Sequence, residues 1–445
     1  MPSPKPYESP CVIKLGNPSL SKAGVANKGY PYLRSQIDGV PLAKLVEQYG
    51  SPLFVFSQEQ LGRKYQQTYK AFHKLYPHLT FAWSYKTNYL RGICSLYHQL
   101  GAKAEVVSSM EYAKARRLGI QGKDIIYNGP VKERSSLIQA IEETARVHVD
   151  NFGELVEVEN IAKELGQKVS IGIRINLDGG IYPQWTKFGF NLENEQAWHA
   201  VEYIMKSPHL VLQGLHHHLG TFILAADAFA KASAKIAQFL MDIDETFHHR
   251  LEYLDLGGGM ASLNSLKGIY HSSEVAVPTL EEYTRKIITP LTETLPEDYR
   301  PELVLELGRY LVDEAGYLIS TVVAQKQLPD GRRGIVMDAG VNLLYTSTWY
   351  NLKVELDGHE EGIKIPSVLF GPLCMNIDVI NEAIMLPRLE NGKLMVFSPV
   401  GAYNVTQWMQ FIQLRPAVVM IESNKNVKVL RSAETLDYLE QNDQL

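Results

Sequence analysis

One local pattern recurs eight times through the middle of the chain: a short apolar run followed by a segment with helical spacing. The runs begin near positions 80, 102, 124, 146, 169, 211, 251 and 302, so the first five lie about 22 residues apart. Two of the intervening segments stop at a glycine, Gly119 and Gly166, as helices commonly do. The pattern predicts an α/β fold with a (β/α)8 barrel. An open doubly wound sheet, which shares the local pattern, is the alternative.

The pattern changes after residue 312. Strand-like runs such as GIVMDAG, PSVLFGPLCM, KLMVFSPVGAY and PAVVMIES follow one another with few helices between them, which predicts a β-rich second domain. A helix and a strand are also predicted over 40–56, and a chain of 445 residues is too long for one ordinary core. We predict a barrel domain over 57–312 and a β-rich domain built from 1–56 and 313–445.

The charge balance and the cysteines restrict the partners and the compartment. The chain has 44 Lys and Arg against 49 Asp and Glu, a net charge of −5 without a basic block, so neither nucleic acid nor a membrane is an expected partner. The three cysteines, Cys11, Cys94 and Cys374, are sparse and unpatterned, as in a reducing compartment. The sequence shows no secretory signal and no apolar run of about 18 residues, which predicts a cytoplasmic location.

The candidate site consists of the residues that end the eight runs, because barrel enzymes carry their active sites at the carboxyl ends of the strands. The first run ends at Lys86, the sixth at three histidines, the seventh at Gly257, Gly258 and Gly259, and the eighth at Glu306, Gly308 and Arg309. Adjacent glycines expose backbone N–H groups that can bind a phosphate. An arginine on the next strand favours that interpretation over a flexible turn without a ligand.

The three histidines after the sixth run allow several interpretations. His216 and His218 point to one side of the strand and His217 to the other. The pair is compatible with a metal site, with a flat platform for an aromatic ligand, and with hydrogen-bonded barrel histidines. No second cluster of His, Asp or Glu at neighbouring strand ends supports a metal.

A lysine, a phosphate loop, a histidine platform and an acid, each at a strand end, together suggest pyridoxal phosphate. The Lys86 amine can attach the aldehyde of that cofactor as a Schiff base, and the glycine loop can hold its phosphate. Glu306 can keep the pyridine nitrogen protonated, which makes the ring an electron sink.

The motifs resemble, in this order, those of the fold-type III pyridoxal-phosphate-dependent decarboxylases, the family of diaminopimelate and ornithine decarboxylases. The resemblance runs from about residue 40 to residue 431 and implies an alanine racemase-like barrel. Four motifs carry it in the barrel: SYKTN at 84–88, GLHHHLGT at 214–221, LDLGGG at 254–259 and ELGRYLV at 306–312.

The resemblance assigns roles to the residues in these motifs. Lys86 would be the lysine that binds the cofactor, and His218 would stack on the cofactor ring. Thr221 would lie near the phosphate, Glu306 would pair with the pyridine nitrogen, and Arg309 would lie close to the phosphate or the substrate.

Two further motifs, in the predicted β-rich domain, extend the resemblance. GPLCMNID at 371–378 is similar to the catalytic-cysteine motif of the family, and GAY at 401–403 to its phosphate-binding tyrosine motif. The resemblance implies that Cys374 returns a proton to Cα after carbon dioxide leaves, and that Tyr403 binds the phosphate. It also implies a homodimer with shared active sites, in which the cysteine comes from the partner subunit.

Three changes, at four positions, depart from the pattern of the diaminopimelate decarboxylases. Met375 and Asn376 follow the cysteine where an acidic residue is usual. Thr346 stands where an arginine is expected for the distal carboxylate, and Leu307 replaces the usual proline. The first two changes predict that the substrate is not diaminopimelate but a different amino acid or a larger amino-acid conjugate.

The remaining candidates for binding that substrate are few. Arg309, Tyr350, Asn376, Asp378 and Tyr403 are the predicted substrate contacts. Asp378 is equally compatible with a structural cap, and Tyr350 with an aromatic core.

Three other functions are compatible with parts of this pattern. An amino-acid racemase or other pyridoxal phosphate enzyme shares the barrel, and a metal-dependent barrel hydrolase would use His216 and His218. A non-catalytic regulator on this fold is disfavoured, since it would be expected to lose Lys86 or Cys374 and both are present.

Overall fold

The computed structural model describes residues 32–181, 184–269, 271–358 and 362–444, so Cys11 and the start of the predicted 1–56 segment lie outside the described residues. The strands are β1 Tyr32–Leu33, β2 Gln36–Ile37, β3 Val40–Pro41, β4 Leu53–Ser57, β5 Leu79–Ser84, β6 Lys103–Val106, β7 Ile125–Tyr127, β8 Arg146–Val149, β9 Val169–Asn176, β10 Phe190–Asn191, β11 Leu210–His217, β12 Tyr253–Asp255, β13 Glu302–Leu307, β14 Gly316–Gln327, β15 Arg333–Met337, β16 Lys353–Leu356, β17 Ile365–Phe370, β18 Val379–Leu386, β19 Leu394–Ser398, β20 Val418–Ile421 and β21 Val427–Arg431. The helices are α1 Leu42–Tyr49, α2 Gln58–Leu75, α3 Arg91–Gln99, α4 Ser109–Arg117, α5 Arg134–Glu142, α6 Phe152–Leu165, α7 Gln196–Lys206, α8 Ala226–Phe247, α9 Ser273–Ala276, α10 Leu280–Thr294, α11 Arg309–Val312, α12 Asn404–Gln407 and α13 Leu436–Glu440.

Eight parallel strands, β5 to β9 and β11 to β13, form a closed barrel. The ring closes because β13 pairs with β5 and β8 pairs with β9, which confirms the predicted barrel and excludes the open doubly wound sheet. The strands are buried along nearly their whole length, since the barrel interior covers one face and the outer helices cover the other. The carboxyl ends of all eight strands therefore meet at one end of the barrel.

The helices between the strands begin and end at ordinary capping signals. Helix α6 follows Asn151, whose side chain accepts a hydrogen bond from the Glu154 N–H at 3.0 Å, and stops at Gly166, which has the left-handed φ of 66°. The longest described helix, α8, has 22 residues. No helix in the described ranges is long and apolar enough to cross a membrane.

A second sheet contains ten of the described strands and confirms the predicted β-rich region after the barrel. Its central path runs β1-β16-β19-β14-β15-β17-β18. Strand β4, which precedes the barrel in sequence, pairs antiparallel with β14 and parallel with β20. The chain before the barrel thus supplies a strand to the second sheet, while the exact domain boundaries at residues 57 and 312 stay a prediction.

Candidate active site

A cavity of about 560 Å³ lies at the carboxyl ends of the barrel strands, between the barrel and the segment that follows β19. That segment is fixed to the turn after β5, because the Tyr403 N–H donates to the Thr87 carbonyl at 2.9 Å and Asn88 Nδ2 donates to the Gly401 carbonyl at 3.1 Å. The cavity brings together most of the residues predicted for the site: Lys86, His218, Thr221, Gly259, Glu306, Gly308, Arg309, Tyr350 and Tyr403.

Lys86 lies in a single 3-10 turn directly after β5 and is paired with an acid from the next strand. Its Nζ donates to both carboxylate oxygens of Glu105, at 2.7 and 2.6 Å. The Glu105 side chain is fully buried, whereas a third of the Lys86 side chain remains open. Burial by itself lowers the pKa of Lys86, but the Glu105 and Glu306 carboxylates outweigh it and raise the pKa above its ordinary value.

Glu306 lies on β13 at the base of the cavity and is buried among polar groups. Asn128 Nδ2 donates a hydrogen bond to Glu306 Oε1, and His216 Nε2 lies 3.4 Å from the same oxygen. Asp255 on the adjacent strand is also buried, and its Oδ1 accepts from the Gly257 N–H at 2.9 Å. Burial, followed by the charge of Glu306, raises the pKa of Asp255 well above its ordinary value.

The three histidines separate as the strand alternation predicts. His216 and His218 line the cavity, whereas His217 turns away, with its Nδ1 3.0 Å from the Ile175 carbonyl oxygen. The His218 ring lies parallel to Trp185, with ring centroids 5.6 Å apart. An aromatic platform at the cavity wall therefore includes Trp185 as well as His218.

Four potential metal ligands, not expected from the sequence, lie close together near the ends of four barrel strands. In the described part of the chain, His148, His216, Asp255 and Glu306 have potential ligand atoms within 4.8 Å of one another, and His218 is not among them. Both ring nitrogens of His148 are already engaged in hydrogen bonds, and Glu306 accepts one from an amide. Both ring nitrogens of His216 and the Oδ2 of Asp255, by contrast, have no hydrogen-bond partner among the described residues, so the cluster is only partly engaged in hydrogen bonds. The alternative in which His216 and His218 share one metal is not supported, because His218 does not belong to the cluster.

The glycine run after β12 is required by close backbone approaches. Gly257 and Gly259 have left-handed φ values of 61° and 104°. A Cβ on Gly258 would lie 2.3 Å from the Glu306 carbonyl oxygen, and one on Gly308 would lie 2.2 Å from Thr87 Oγ1. Of the three adjacent glycines only Gly259 lines the cavity, so Gly257 and Gly258 shape the loop from behind.

Replacing Gly258 by alanine is expected to destabilise the fold by about 1–3 kcal/mol, because the new methyl group would push the loop away from Glu306. Gly62 in helix α2 is a matched control, since a Cβ there has open space around it. Its replacement by alanine is expected to stabilise the protein by about 0.5–1 kcal/mol. Thermal unfolding of the two variants measures both effects, and equal midpoints would contradict the close approach at Gly258.

Arg309 carries the positive charge expected of an anion site. Its guanidinium is buried, its Nη2 lies 3.4 Å from Thr221 Oγ1, and its Nε and Nη1 have no hydrogen-bond partner among the described residues. The rings of Phe222, Tyr350 and Tyr403 surround it, with centroids 5.5, 5.4 and 4.6 Å from its Cζ. A buried cation with unpaired N–H groups beside a hydroxyl and a glycine loop fits a phosphate group.

The fold and the cavity together define a pyridoxal-phosphate barrel enzyme. One cavity holds a lysine with an acid partner, a buried acid, an aromatic platform and a guanidinium with two unpaired nitrogen atoms. Comparison with known proteins identifies the family. Residues 62–313 match the pyridoxal binding domain of the pyridoxal-dependent decarboxylases, and residues 309–401 match their C-terminal sheet domain. The chain belongs to this family, and it is a pyridoxal-phosphate-dependent amino-acid decarboxylase.

The relatives found in these comparisons are similar along their whole length. Diaminopimelate decarboxylase of Methanocaldococcus jannaschii is 28% identical over 418 residues, which cover 90% of this chain and 92% of the relative. That of Aquifex aeolicus is 28% identical over 426 residues, covering 92% and 96%. The crystal structure of the M. jannaschii enzyme superposes with a TM-score of 0.84 at 28% identity, covering 92% of this chain and 96% of that one. The family match favours decarboxylation over the racemase and hydrolase alternatives.

Five of the predicted site residues do not line the cavity of their own chain: Gly257 and Gly258, described above, and three residues of the sheet domain. Cys374 is exposed, and Asn376 is exposed beside it. Asp378 is buried, and its two carboxylate oxygens accept the backbone N–H groups of Val341 and Leu373, each at 2.8 Å. Asp378 thus holds a turn, as the capping alternative predicts, and its role in substrate binding stays a prediction.

Five residues in or beside the cavity are among those that were not singled out from the sequence. Glu105, Asn128 and Arg174 lie at or just after the ends of β6, β7 and β9, and the strand-end argument would have found them if it had been applied to every run. His148 near the end of β8 and Trp185 in the loop after β9 carry no local sequence signal.

Proposed function

We propose that this decarboxylase acts on an amino acid, or on an amino-acid conjugate, whose distal end is not the charged amino-carboxylate of diaminopimelate. The observation that supports the proposal is the composition of the cavity wall. Among the described lining residues the acids are Glu105 and Glu306, and both are already engaged, one with Lys86 and one with Asn128. Neither is free to pair with a distal ammonium group.

The outer wall of the cavity is aromatic instead. Trp185, Phe188, Phe222, Trp349 and Tyr350 line it. Such a wall favours a distal group that is uncharged or aromatic over an ammonium group, because an ammonium group would lose its hydration there without gaining an ionic partner.

The position predicted to read a distal carboxylate supports the same proposal. Thr346, which replaces the expected arginine, is buried and does not line the cavity. Its hydroxyl donates to Asn404 Oδ1 at 3.0 Å, and the backbone N–H of Thr346 reaches the same oxygen at 3.1 Å. Thr346 therefore serves the packing of the loop and not substrate binding.

The roles that we propose for the cofactor-binding residues follow from their positions. Lys86 binds the cofactor covalently, His218 faces its ring with Trp185 stacked on the histidine, and Glu306 pairs with its pyridine nitrogen. Arg309 binds the phosphate. When bound, pyridoxal phosphate supplies an electron sink for the pair that remains at Cα as carbon dioxide leaves.

Thr221, Tyr403 and the glycine loop complete the proposed phosphate site. The Thr221 hydroxyl lies beside the Arg309 guanidinium, and the Tyr403 ring packs against its face. Gly259 brings the backbone to the cavity wall, and Gly308 leaves room for the Thr87 side chain.

We propose further that the protein is a homodimer in which Cys374 completes the cavity of the partner subunit and protonates Cα as a general acid. The support is the placement of the thiol, which is exposed and lies outside the lining of its own cavity. Its neighbour Ile377 is 70% exposed, as is unusual for an isoleucine without a partner surface. A cytoplasmic location is the compartment in which such a thiol stays reduced.

A substrate panel tests the proposal. Diaminopimelate, lysine and ornithine are compared with uncharged and aromatic amino acids and with N-acylated diamino acids, following released carbon dioxide and the mass of the amine. We expect kcat/KM to be at least about tenfold higher for a member of the second group. Diaminopimelate as the best substrate of the panel would contradict the proposal.

Trp349 provides the control for the panel. Replacing it by alanine is expected to lower kcat/KM for the preferred substrate while the affinity for pyridoxal phosphate stays unchanged, because Trp349 lines the outer wall and contacts Tyr345 and Tyr350 rather than Lys86. An equal loss for every substrate would show that Trp349 does not contribute to specificity.

A further inference from the structure

The side-chain amide of Asn128 lies between the two buried acids of the site. Its Nδ2 donates to Glu306 Oε1 and also to Glu105 Oε1, the latter at 3.3 Å. Glu105 holds Lys86 through both of its oxygens. One amide group therefore connects the acid that pairs with the lysine and the acid at the base of the cavity.

The orientation of this amide is determined by its surroundings. Because the NH2 group must face the two carboxylates, the Asn128 Oδ1 faces His148, whose Nδ1 lies 2.5 Å away. A carbonyl oxygen can only accept, so the proton of the His148 ring must be on Nδ1. The Nε2 of the same ring is then free to accept from the Tyr253 hydroxyl, which lies 2.9 Å away.

The His148 ring is held neutral in this position. It is fully buried, which lowers the pKa of the imidazole, and His216, Lys132 and Arg146 lower it further. The His216 ring stacks on it with centroids 4.8 Å apart and an angle of 11° between the planes. A neutral, stacked ring between two hydrogen-bond partners has one tautomer available to it.

We infer that Asn128 is a positioning residue that fixes Glu105 and Glu306 through the two protons of its amide, and that His148 and Tyr253 hold the amide in this orientation. The chain of donors runs from the Tyr253 hydroxyl to His148, from His148 to Asn128, and from Asn128 to both acids. The inference rests on the cofactor roles proposed for Lys86 and Glu306 but not on the identity of the substrate.

The Asn128 amide offsets an electrostatic cost of the site. Glu105 and Glu306 are two buried carboxylates in one cavity, and burial, together with the charge of Glu306, raises the pKa of Glu105. An amide that donates to both stabilises both charges, since hydrogen bonds to charged acceptors are stronger than those to neutral ones. The lysine and the buried acid are thus kept in fixed relative positions even before the cofactor binds.

The tautomer of His148 gives a test that needs no measurement of activity. The full-length protein is labelled with ¹⁵N-histidine, and the ring nitrogens are observed by NMR, with a His148→Phe variant to assign the signal. We expect a protonated Nδ1 and an unprotonated Nε2. The opposite tautomer would overturn the inference, because an unprotonated Nδ1 would draw the NH2 group of Asn128 toward His148 and away from the acids. A doubly protonated ring at neutral pH would also overturn it, because Nε2 could then not accept from the Tyr253 hydroxyl.

Isosteric variants test the effect on cofactor binding. Asn128→Asp replaces the donor by a third carboxyl group, and Tyr253→Phe removes only the last hydroxyl of the chain. We expect Asn128→Asp to weaken the equilibrium binding of pyridoxal phosphate roughly tenfold or more, and Tyr253→Phe to weaken it less and to broaden the His148 signals.

Tyr127→Phe is the matched control. Tyr127 is a buried tyrosine on β7, the strand that pairs with β8, and its hydroxyl forms a hydrogen bond with Ser136 Oγ at 2.9 Å, outside this network. It should leave both the cofactor affinity and the His148 signals unchanged. Equal behaviour of Tyr253→Phe and Tyr127→Phe, or an unchanged cofactor affinity in Asn128→Asp, would overturn the inference.

Glu306→Gln separates the two levels of the argument. If the variant keeps its cofactor affinity and visible spectrum while His148 has the expected tautomer, the role proposed for Glu306 fails, and with it the positioning of that acid for the cofactor. If the variant loses affinity and His148 has the opposite tautomer, the role of Glu306 stands and the network alone is refuted.

Discussion

Replacing Lys86 by alanine is expected to abolish covalent attachment of the cofactor and to lower turnover by at least about 10³-fold, because no other amine takes its place. Lys132 is the nearest comparable lysine in the barrel, but its Nζ is held by Gly129, His148 and Glu154. Borohydride reduction followed by mass spectrometry measures the attachment directly. The wild-type protein should gain the mass of the reduced cofactor on the peptide that contains Lys86.

Lys86→Arg separates chemistry from stability in this experiment. The alanine variant leaves the buried Glu105 carboxylate without its partner, which by itself destabilises the fold. Arginine keeps a cation opposite Glu105 but cannot attach an aldehyde. Both variants should lack the reduced adduct, while the arginine variant should unfold at a higher temperature than the alanine variant. An adduct in either variant would place the attachment elsewhere.

The ends of the barrel strands were readable from the sequence because each end changes from apolar to polar residues. Lys86 follows FAWSY, and Glu306 and Arg309 follow a continuous apolar run. In a parallel barrel all such ends meet on one side, so the closed ring alone is sufficient to bring them into one cavity. The place of Gly258 at a strand end could be predicted in the same way, but its close approach to the Glu306 carbonyl oxygen could not.

The partners of these residues were not readable, because they depend on contacts between strands that are distant in sequence. Asn128 and Glu306 are 178 positions apart, and His148 is 105 positions from Tyr253. The alternatives left open for Asp378 were of another kind. A structural cap and a substrate contact both call for a carboxylate at this position, so the sequence does not distinguish them. The hydrogen bonds that Asp378 accepts from two backbone N–H groups show that it acts as a cap.

Replacing Cys374 by alanine is expected to lower the rate of decarboxylation by about 10²–10⁴-fold, the usual contribution of a positioned general acid. The cofactor should still bind and should still be fixed to Lys86 by borohydride, because Cys374 is exposed and lies outside the cavity of its own chain. Cys94→Ala is the matched control, since that thiol is buried in helix α3 and does not line the cavity. A fully active Cys374→Ala variant would contradict the proposed role.

A mixed dimer tests where that thiol acts. When Lys86→Ala and Cys374→Ala chains are co-expressed with different tags and the mixed dimer is purified, one cavity receives both an intact lysine and an intact cysteine if the sites are shared. The mixed dimer should then recover about half of the wild-type activity, although each parent is inactive. If Cys374 served its own chain, no cavity of the mixed dimer would hold both groups and activity would stay absent. A protein that is active but stays monomeric at the assay concentration would refute the shared site directly, because no second subunit would then be present to supply Cys374.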